Sequence, residues 1–181
     1  MTARIATGRS ITPRLLKNVD GQETPSGVGE PLGLPTSILN HVRGGMFAVS
    51  NERRGTAYST RISDETMRMA GKTGTSQVRN ITAAERRAGV FRNEDLPWER
   101  RDHALFVGFA PYDNPKYAIS VVVEHGGGGS TVAAPIARDI ILAAMHDEVP
   151  PLSAYPTSQH GRIDTALKKL RLNDPDADTP A

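Results

Sequence analysis

Cysteine is absent from the 181 residues, which excludes disulfide bonds, a thiol nucleophile and cysteine-ligated metal sites. Aromatic residues make up only 5% of the chain, and none of them form the runs that stack on nucleic-acid bases. Charge of neither sign dominates, because 22 basic residues stand against 20 acidic ones and the net charge is +2. The composition therefore argues against a disulfide scaffold and against a nucleic-acid partner.

Long hydrophobic runs are absent as well. No segment approaches the roughly 18 apolar residues of a membrane helix, and residues 1–8 lack the apolar centre of a secretion signal. Those residues are instead typical of the end of a helix closed by Gly8, so Met1 need not be a natural start. The histidines show no spacing typical of metal ligands, and we expect neither a metal nor a cofactor.

The patterns of apolar and turn-forming residues predict an α+β domain within residues 1–150. The clearest is a hairpin of two apolar runs joined by a turn of Asp, Asn and Pro, and we expect both faces of its strands to be largely covered. In chain order the predicted elements are a helix over 36–51, a strand over 66–78, hairpin strands over 103–111 and 116–124, and a helix over 131–147.

Two segments depart from these patterns. Residues 80–102 are highly charged and are predicted to form an excursion between strands, with Trp98 as its packing contact. Residues 126–129 are all glycine and predict a flexible break between strand and helix. Residues 151–181 are rich in Asp, Pro, Ser and Ala, so we expect a largely disordered tail outside the domain of residues 1–150.

The most informative motif is Lys72-Thr73-Gly74-Thr75, here called the KTG wall. On a strand, Lys72 and Gly74 would point to one face and the two threonines to the other. A cation, hydroxyls and exposed backbone N–H groups beside one groove suit a carboxylate or an oxyanion. A phosphate-binding loop would need a glycine at position 66, where Thr66 stands, and a helix directly after the motif. A solvated strand lysine is the plain alternative.

A Lys-Thr-Gly strand followed by a hairpin and a terminal helix resembles the order found in the penicilloyl-serine transferases. Within them the chain is similar to the class B penicillin-binding proteins of the elongation type, penicillin-binding protein 2. The similarity covers about residues 1–147 and is carried by four segments. These are Val42-Arg-Gly-Gly-Met-Phe-Ala-Val49, Ala70-Gly-Lys-Thr-Gly-Thr-Ser-Gln-Val78, Ala104-Leu-Phe-Val-Gly-Phe-Ala-Pro-Tyr-Asp-Asn-Pro115 and Val121-Val-Val-Glu-His-Gly-Gly-Gly128-Gly129.

This resemblance implies a partial transpeptidase fold, with an antiparallel sheet flanked by helices and about three of the family's five sheet strands. It also implies peptidoglycan cross-linking by acyl transfer through a serine ester, which β-lactams acylate. Lys72 would supply positive charge in catalysis, and Thr73, Gly74 and Thr75 would bind substrate. The Thr75 hydroxyl would hold the substrate carboxylate, and its N–H would form half of the oxyanion hole.

The chain departs from the family pattern at the nucleophile. No serine has a lysine three positions later, and no Ser-x-Asn occurs, whereas nucleophilic catalysis needs nucleophile and base within hydrogen-bond reach. We therefore expect the C-terminal part of a transpeptidase domain, inactive alone, whose partner is the missing N-terminal part. The parent protein would be anchored in the inner membrane and periplasmic, with peptidoglycan stem peptides and β-lactams as ligands.

Two further expectations concern association and function. The second hairpin strand would lack a sheet neighbour, and a long apolar edge favours self-association. The alternative function is a non-catalytic module of the same fold that binds cell-wall peptides or a partner protein in the same groove.

Overall fold

The computed structural model describes residues 1–146 and 149–169. Within these ranges antiparallel strands are flanked by helices, which confirms the α+β prediction. The helices are α1 (Thr2–Thr7), α2 (Thr36–Asn51), α3 (Ala83–Ala88), α4 (Ala134–Met145) and α5 (His160–Lys169). The strands are β1 (Arg9–Ile11), β2 (Asn18–Val19), β3 (Gln22–Glu23), β4 (Val28–Pro31), β5 (Ala70–Ser76), β6 (His103–Ala110) and β7 (Tyr117–Val123).

The main sheet has the order β5-β6-β7, with both pairs antiparallel. The hairpin β6–β7 lies where the apolar pattern predicts it. Strand β5 is shorter than the predicted strand over 66–78, because Glu65–Met67 forms a 3₁₀ turn. The Asp64 carboxylate caps this turn by accepting the Thr66 N–H, so regular strand geometry begins only afterwards.

One face of the sheet carries the larger core. Ala104, Phe106 and Ala110 of β6 cluster with small residues of α4, including Ala134 and Ala137. Small side chains on both surfaces allow the helix to approach the sheet closely. The tight packing extends to the backbone of β5, since a Cβ added at Gly71 would overlap the Phe106 ring.

The opposite face is covered at one end only. Ala70 and Phe109 pack there against Ala6 of α1 and Met46 of α2. Farther along the same face Val122 is 58% exposed. The expectation that both faces of the hairpin are largely covered is therefore wrong for this face, since α2 packs against β5 and the helix that reaches β6 and β7 is α1, which has only six residues.

The segment after Pro151 is ordered as far as it is described. It forms 3₁₀ turns over Leu152–Ala154 and Thr157–Gln159 and then helix α5. Tyr155 and Ile163 are buried in the same core cluster as α4. The predicted disorder of the 151–181 tail does not hold for residues 152–169, because their few apolar side chains find a surface on α4. Residues 170–181 lie outside the described residues.

Candidate functional site

The four residues of the KTG wall lie on β5, an outer strand of the main sheet. Lys72 stands opposite Val107 and Thr73 opposite Phe106 in the antiparallel register. The wall therefore presents the alternating faces that the sequence predicts. In the described part of the chain β5 has no sheet partner on its other side, so its outer backbone donors and acceptors can pair with an added extended chain.

The Lys72 side chain is exposed on the incompletely covered face. Its Nζ donates a hydrogen bond to the Thr73 carbonyl oxygen at 2.7 Å. Beside it lies a cleft of about 450 Å³ between α1, α2 and the sheet. This cleft is lined mainly by apolar side chains, among them Ile5, Val42, Met46, Val49 and Val107. An ammonium at the border of an apolar cleft can attract an anionic group to that border.

Thr73 makes a side-chain contact that the sequence pattern does not predict. Its hydroxyl lies 2.9 Å from the hydroxyl of Thr56, which belongs to the turn after α2. The turn packs closely on the end of α2, since a Cβ at Gly55 would overlap the carbonyl groups of Ala48 and Val49. The two threonines are 17 positions apart, a separation that corresponds to no helical or strand period, so sequence reasoning missed Thr56.

The glycine-rich segment after β7 is a packed contact rather than a flexible break. Gly129 is buried and begins a π-helical turn, Gly129–Ala133, that leads into α4. A Cβ at Gly129 would overlap the carbonyl oxygens of Gly74 and Leu105. Because only hydrogen fits there, the backbone of this turn lies directly on the KTG wall and its neighbour strand.

The geometry also excludes a phosphate-binding loop at Gly71-Lys72-Thr73. These residues lie in the interior of β5, which continues to Ser76. The next helix, α3, begins only at Ala83. A phosphate loop requires the lysine just before a helix N-terminus, where N–H groups converge on the anion.

The charged excursion starts as an ordered turn beside the end of β5. Arg79 and Glu85 form a bidentate ion pair with N–O distances of 2.6 and 2.7 Å. Their mutual hydrogen bonds lower the pKa of the Glu85 carboxyl and raise the pKa of Arg79. Thr82 caps α3 by accepting the Glu85 N–H. The predicted excursion is thus present and locally folded.

The other end of the excursion packs against His103 and His125. The Trp98 and His125 rings contact each other at a tilt of 54° with centroids 4.2 Å apart, and the His103 ring meets that of His125 edge-on at 4.7 Å. The His125 backbone N–H donates to His103 Nδ1 at 2.9 Å. Trp98 is therefore a packing contact of the excursion, as predicted, and His103 pairs with Ser76 at the end of β5.

Two negative observations apply to residues 1–146 and 149–169. No group of three or more His, Asp or Glu side chains there is close enough to hold a metal ion. None of the helices described there combines the length and apolar character needed to cross a membrane.

Comparison with known proteins decides the family. Residues 1–142 match the family model of the penicillin binding protein transpeptidase domain. The chain belongs to this family. The sheet with its KTG wall and flanking helices is thus a partial penicillin-binding protein transpeptidase fold.

Relatives of the chain include peptidoglycan D,D-transpeptidases named MrdA, which are penicillin-binding proteins 2. The chain is 30% identical over 178 residues to the peptidoglycan D,D-transpeptidase MrdA of Haemophilus influenzae, covering 95% of this chain and 26% of the relative. It is 35% identical over 147 residues to MrdA of Salmonella typhimurium, covering 78% of this chain and 23% of the relative. The chain spans about a quarter of the length of the curated relatives it matches.

Solved structures agree with this assignment. Pseudomonas aeruginosa penicillin-binding protein 2 in complex with WCK 5153 superimposes with a TM-score of 0.64 at 36% identity, covering 82% of this chain and 29% of that one. Penicillin-binding protein 2 of Helicobacter pylori, solved in a complex with MreC, gives a TM-score of 0.56 at 35% identity, covering 76% and 22%.

Proposed function

We propose that this chain supplies the KTG wall of a peptidoglycan D,D-transpeptidase active site. The observation that carries the proposal is the position of Lys72-Thr73-Gly74-Thr75 on an outer strand, with an exposed lysine and a strand edge that no other described residue pairs with. A peptide substrate can add to such an edge by backbone hydrogen bonds. Lys72 then offers charge to its carboxylate, and the Thr75 N–H offers a donor to the oxyanion.

The 181 residues do not complete the reaction by themselves. Acyl transfer through a serine ester needs an activated serine, and the chain has no Ser-x-x-Lys or Ser-x-Asn. The open part of the sheet face around Leu105 and Val122 lies on the same side as Lys72. We infer that the part of the domain carrying the serine motifs covers this face and places the nucleophile opposite the KTG wall.

The ligands of the assembled site are then peptidoglycan stem peptides and β-lactams. Peptidoglycan cross-linking assigns the assembled enzyme to the periplasmic side of the inner membrane. A MreC-like protein is a further partner for the whole molecule, suggested by the Helicobacter pylori neighbour.

Fluorescent-penicillin labelling followed by a denaturing gel tests this proposal. We expect no labelled band with the chain alone, because the acylated serine is missing. On co-expression with a protein segment that carries the Ser-x-x-Lys and Ser-x-Asn motifs of the same domain, we expect a labelled band on that segment. Lys72→Ala in this chain should slow the labelling by about a hundredfold or more, the usual effect of removing one electrostatic stabiliser from an acyl-transfer site.

The outcomes separate the proposal from its alternative. A labelled band on the isolated chain would contradict the assignment of the nucleophile elsewhere. If co-expression gives a stable complex without labelling, while a stem peptide binds the chain alone, the non-catalytic peptide-binding module is the correct function. Arg54→Ala serves as a control of equal charge loss, since Arg54 is exposed and pairs with Glu52 outside the KTG wall.

A further inference from the structure

The segment of residues 152–163, here called the C-terminal segment, packs into the main core through Tyr155 and Ile163 and is also bonded to it through the carboxamide of Gln159. Gln159 Oε1 accepts a hydrogen bond from Arg138 Nη1 at 2.7 Å. Gln159 Nε2 donates to the Ser59 carbonyl oxygen at 2.5 Å, across 100 positions of sequence. A single side chain thus links α4 with the turn that follows α2.

The Arg138 end of this link is fully buried. The guanidinium is 0% exposed, lies 4.8 Å from the centroid of the Tyr155 ring and is 2.8 Å from an Asp139 carboxylate oxygen. Burial also raises the pKa of the Tyr155 hydroxyl. A buried guanidinium needs its acceptors, so Gln159 is held in a single orientation with its NH₂ directed at Ser59.

The Ser59 end belongs to a short and closely bonded segment, residues 56–63. Tyr58–Thr60 forms a 3₁₀ turn, and the buried Ala57 donates its N–H to the Val49 carbonyl oxygen at 3.0 Å. The Ser63 N–H donates to the Ala154 carbonyl oxygen at 2.8 Å, a second bond to the C-terminal segment. The first residue of this segment is Thr56, whose hydroxyl contacts that of Thr73.

We propose that Gln159 is a positioning residue for the KTG wall. By holding Ser59, it fixes the 56–63 segment and keeps the Thr56 hydroxyl against Thr73. Gln159 lies beyond residue 142, where the match to the family model ends. The proposal rests on the proposed function only because it treats Thr73 as part of a ligand-binding wall. The structural link from Gln159 through Ser59 and Thr56 to Thr73 exists in the chain without ligand.

Hydrogen–deuterium exchange of the full chain, without ligand, tests the coupling. Gln159→Glu keeps an acceptor for Arg138 but has no donor for Ser59, whereas Gln159→Leu removes both. We expect both variants to exchange about three- to tenfold faster over residues 56–63 and 70–76, the effect of losing one hydrogen bond. Exchange over 117–123 should stay unchanged. The control Arg162→Gln, which loses only an exposed contact to Gln159, should match the unsubstituted chain.

Each other result overturns the proposal. Faster exchange confined to 152–169 would mean that Gln159 holds only its own segment. If exchange over 56–63 and 70–76 becomes faster in Gln159→Leu but not in Gln159→Glu, the loss of the acceptor for Arg138 is the cause. If exchange becomes faster everywhere, including residues 117–123, the substitution destabilises the whole fold. Failure of penicillin labelling in the co-expression experiment would leave the exchange result intact, so the two proposals fail separately.

Discussion

Gly71 and Gly74 lie on the same strand, but a side chain added at each would meet different neighbours. At Gly71 an added Cβ would overlap the Phe106 ring and lie 2.8 Å from the Val107 carbonyl oxygen. At Gly74 the nearest atom to an added Cβ is Leu105 Cβ at 3.3 Å, and the backbone there is ordinary strand. The first glycine is needed by the core, whereas a Cβ at the second would make one tight contact, with the Leu105 side chain, on the face on which Lys72 lies.

A pair of alanine substitutions separates these two roles. Gly71→Ala should destabilise the chain by about 1–3 kcal/mol or more, because a core ring or the strand has to shift. Gly74→Ala should change the free energy of unfolding by about 1 kcal/mol or less, because only the Leu105 side chain has to shift and alanine favours the strand. It should nevertheless reduce penicillin labelling in the assembled site by placing a methyl group in the groove. Urea unfolding and the labelling assay measure the two effects. Equal destabilisation by both substitutions would contradict the assignment.

At the scale of elements, α5 provides stability that composition alone does not suggest. Ile163 is 5% exposed and Tyr155 is 4% exposed, although the surrounding segment is polar. Leu167 packs against the same cluster from the next turn of the helix. A short helix of this kind is marginal by itself and gains its stability from the apolar face that it buries.

Truncation of that face measures the contribution. Ile163→Ala should lower the free energy of unfolding by about 2–5 kcal/mol, the usual range for removing a buried isoleucine side chain. Thr165→Ala on the exposed side of α5 is the matched control and should be neutral or slightly stabilising, since alanine favours helix. Thermal and urea unfolding followed by circular dichroism give both values. A loss below about 0.5 kcal/mol for Ile163→Ala would show that the helix is not part of the cooperative fold.

At the scale of the whole molecule, β7 is the outer strand at the other side of the sheet from β5. Val122 projects from it on the open face. An unpaired strand edge beside exposed apolar side chains can pair with the same edge of a second chain. Self-association through this edge, which the hairpin pattern predicts, therefore stays a prediction.

Light scattering at low micromolar concentration tests that prediction. The isolated chain should scatter as dimers or larger species, and the Val122→Lys substitution should shift it toward monomer because a charged residue protects an edge strand. Since Val122 is already exposed, unfolding stability should be nearly unchanged in this variant. A clean, stable monomer for the unsubstituted chain would refute association through this edge.

Features with a local cause could be predicted from the sequence. The hairpin follows from two apolar runs across an Asp/Asn/Pro turn, α2 from apolar residues at helical spacing, and the two faces of the KTG wall from strand alternation. The missing serine motifs are likewise a property of the sequence, as is the family that four ordered segments indicate. Each element and motif depends on residues within a few positions of one another, and the family indication needs only the order of such local motifs along the chain.

Packing between distant segments decided the rest. The Thr56–Thr73 contact spans 17 positions and the Gln159–Ser59 bond spans 100, so neither leaves a periodic signal in the chain. The order of residues 152–169 depends on whether α4 offers an apolar surface, which local composition does not contain. The sequence thus determined which residues form the wall, while the tertiary structure decided what holds that wall in place, because burial and long-range hydrogen bonds exist only once the chain has folded.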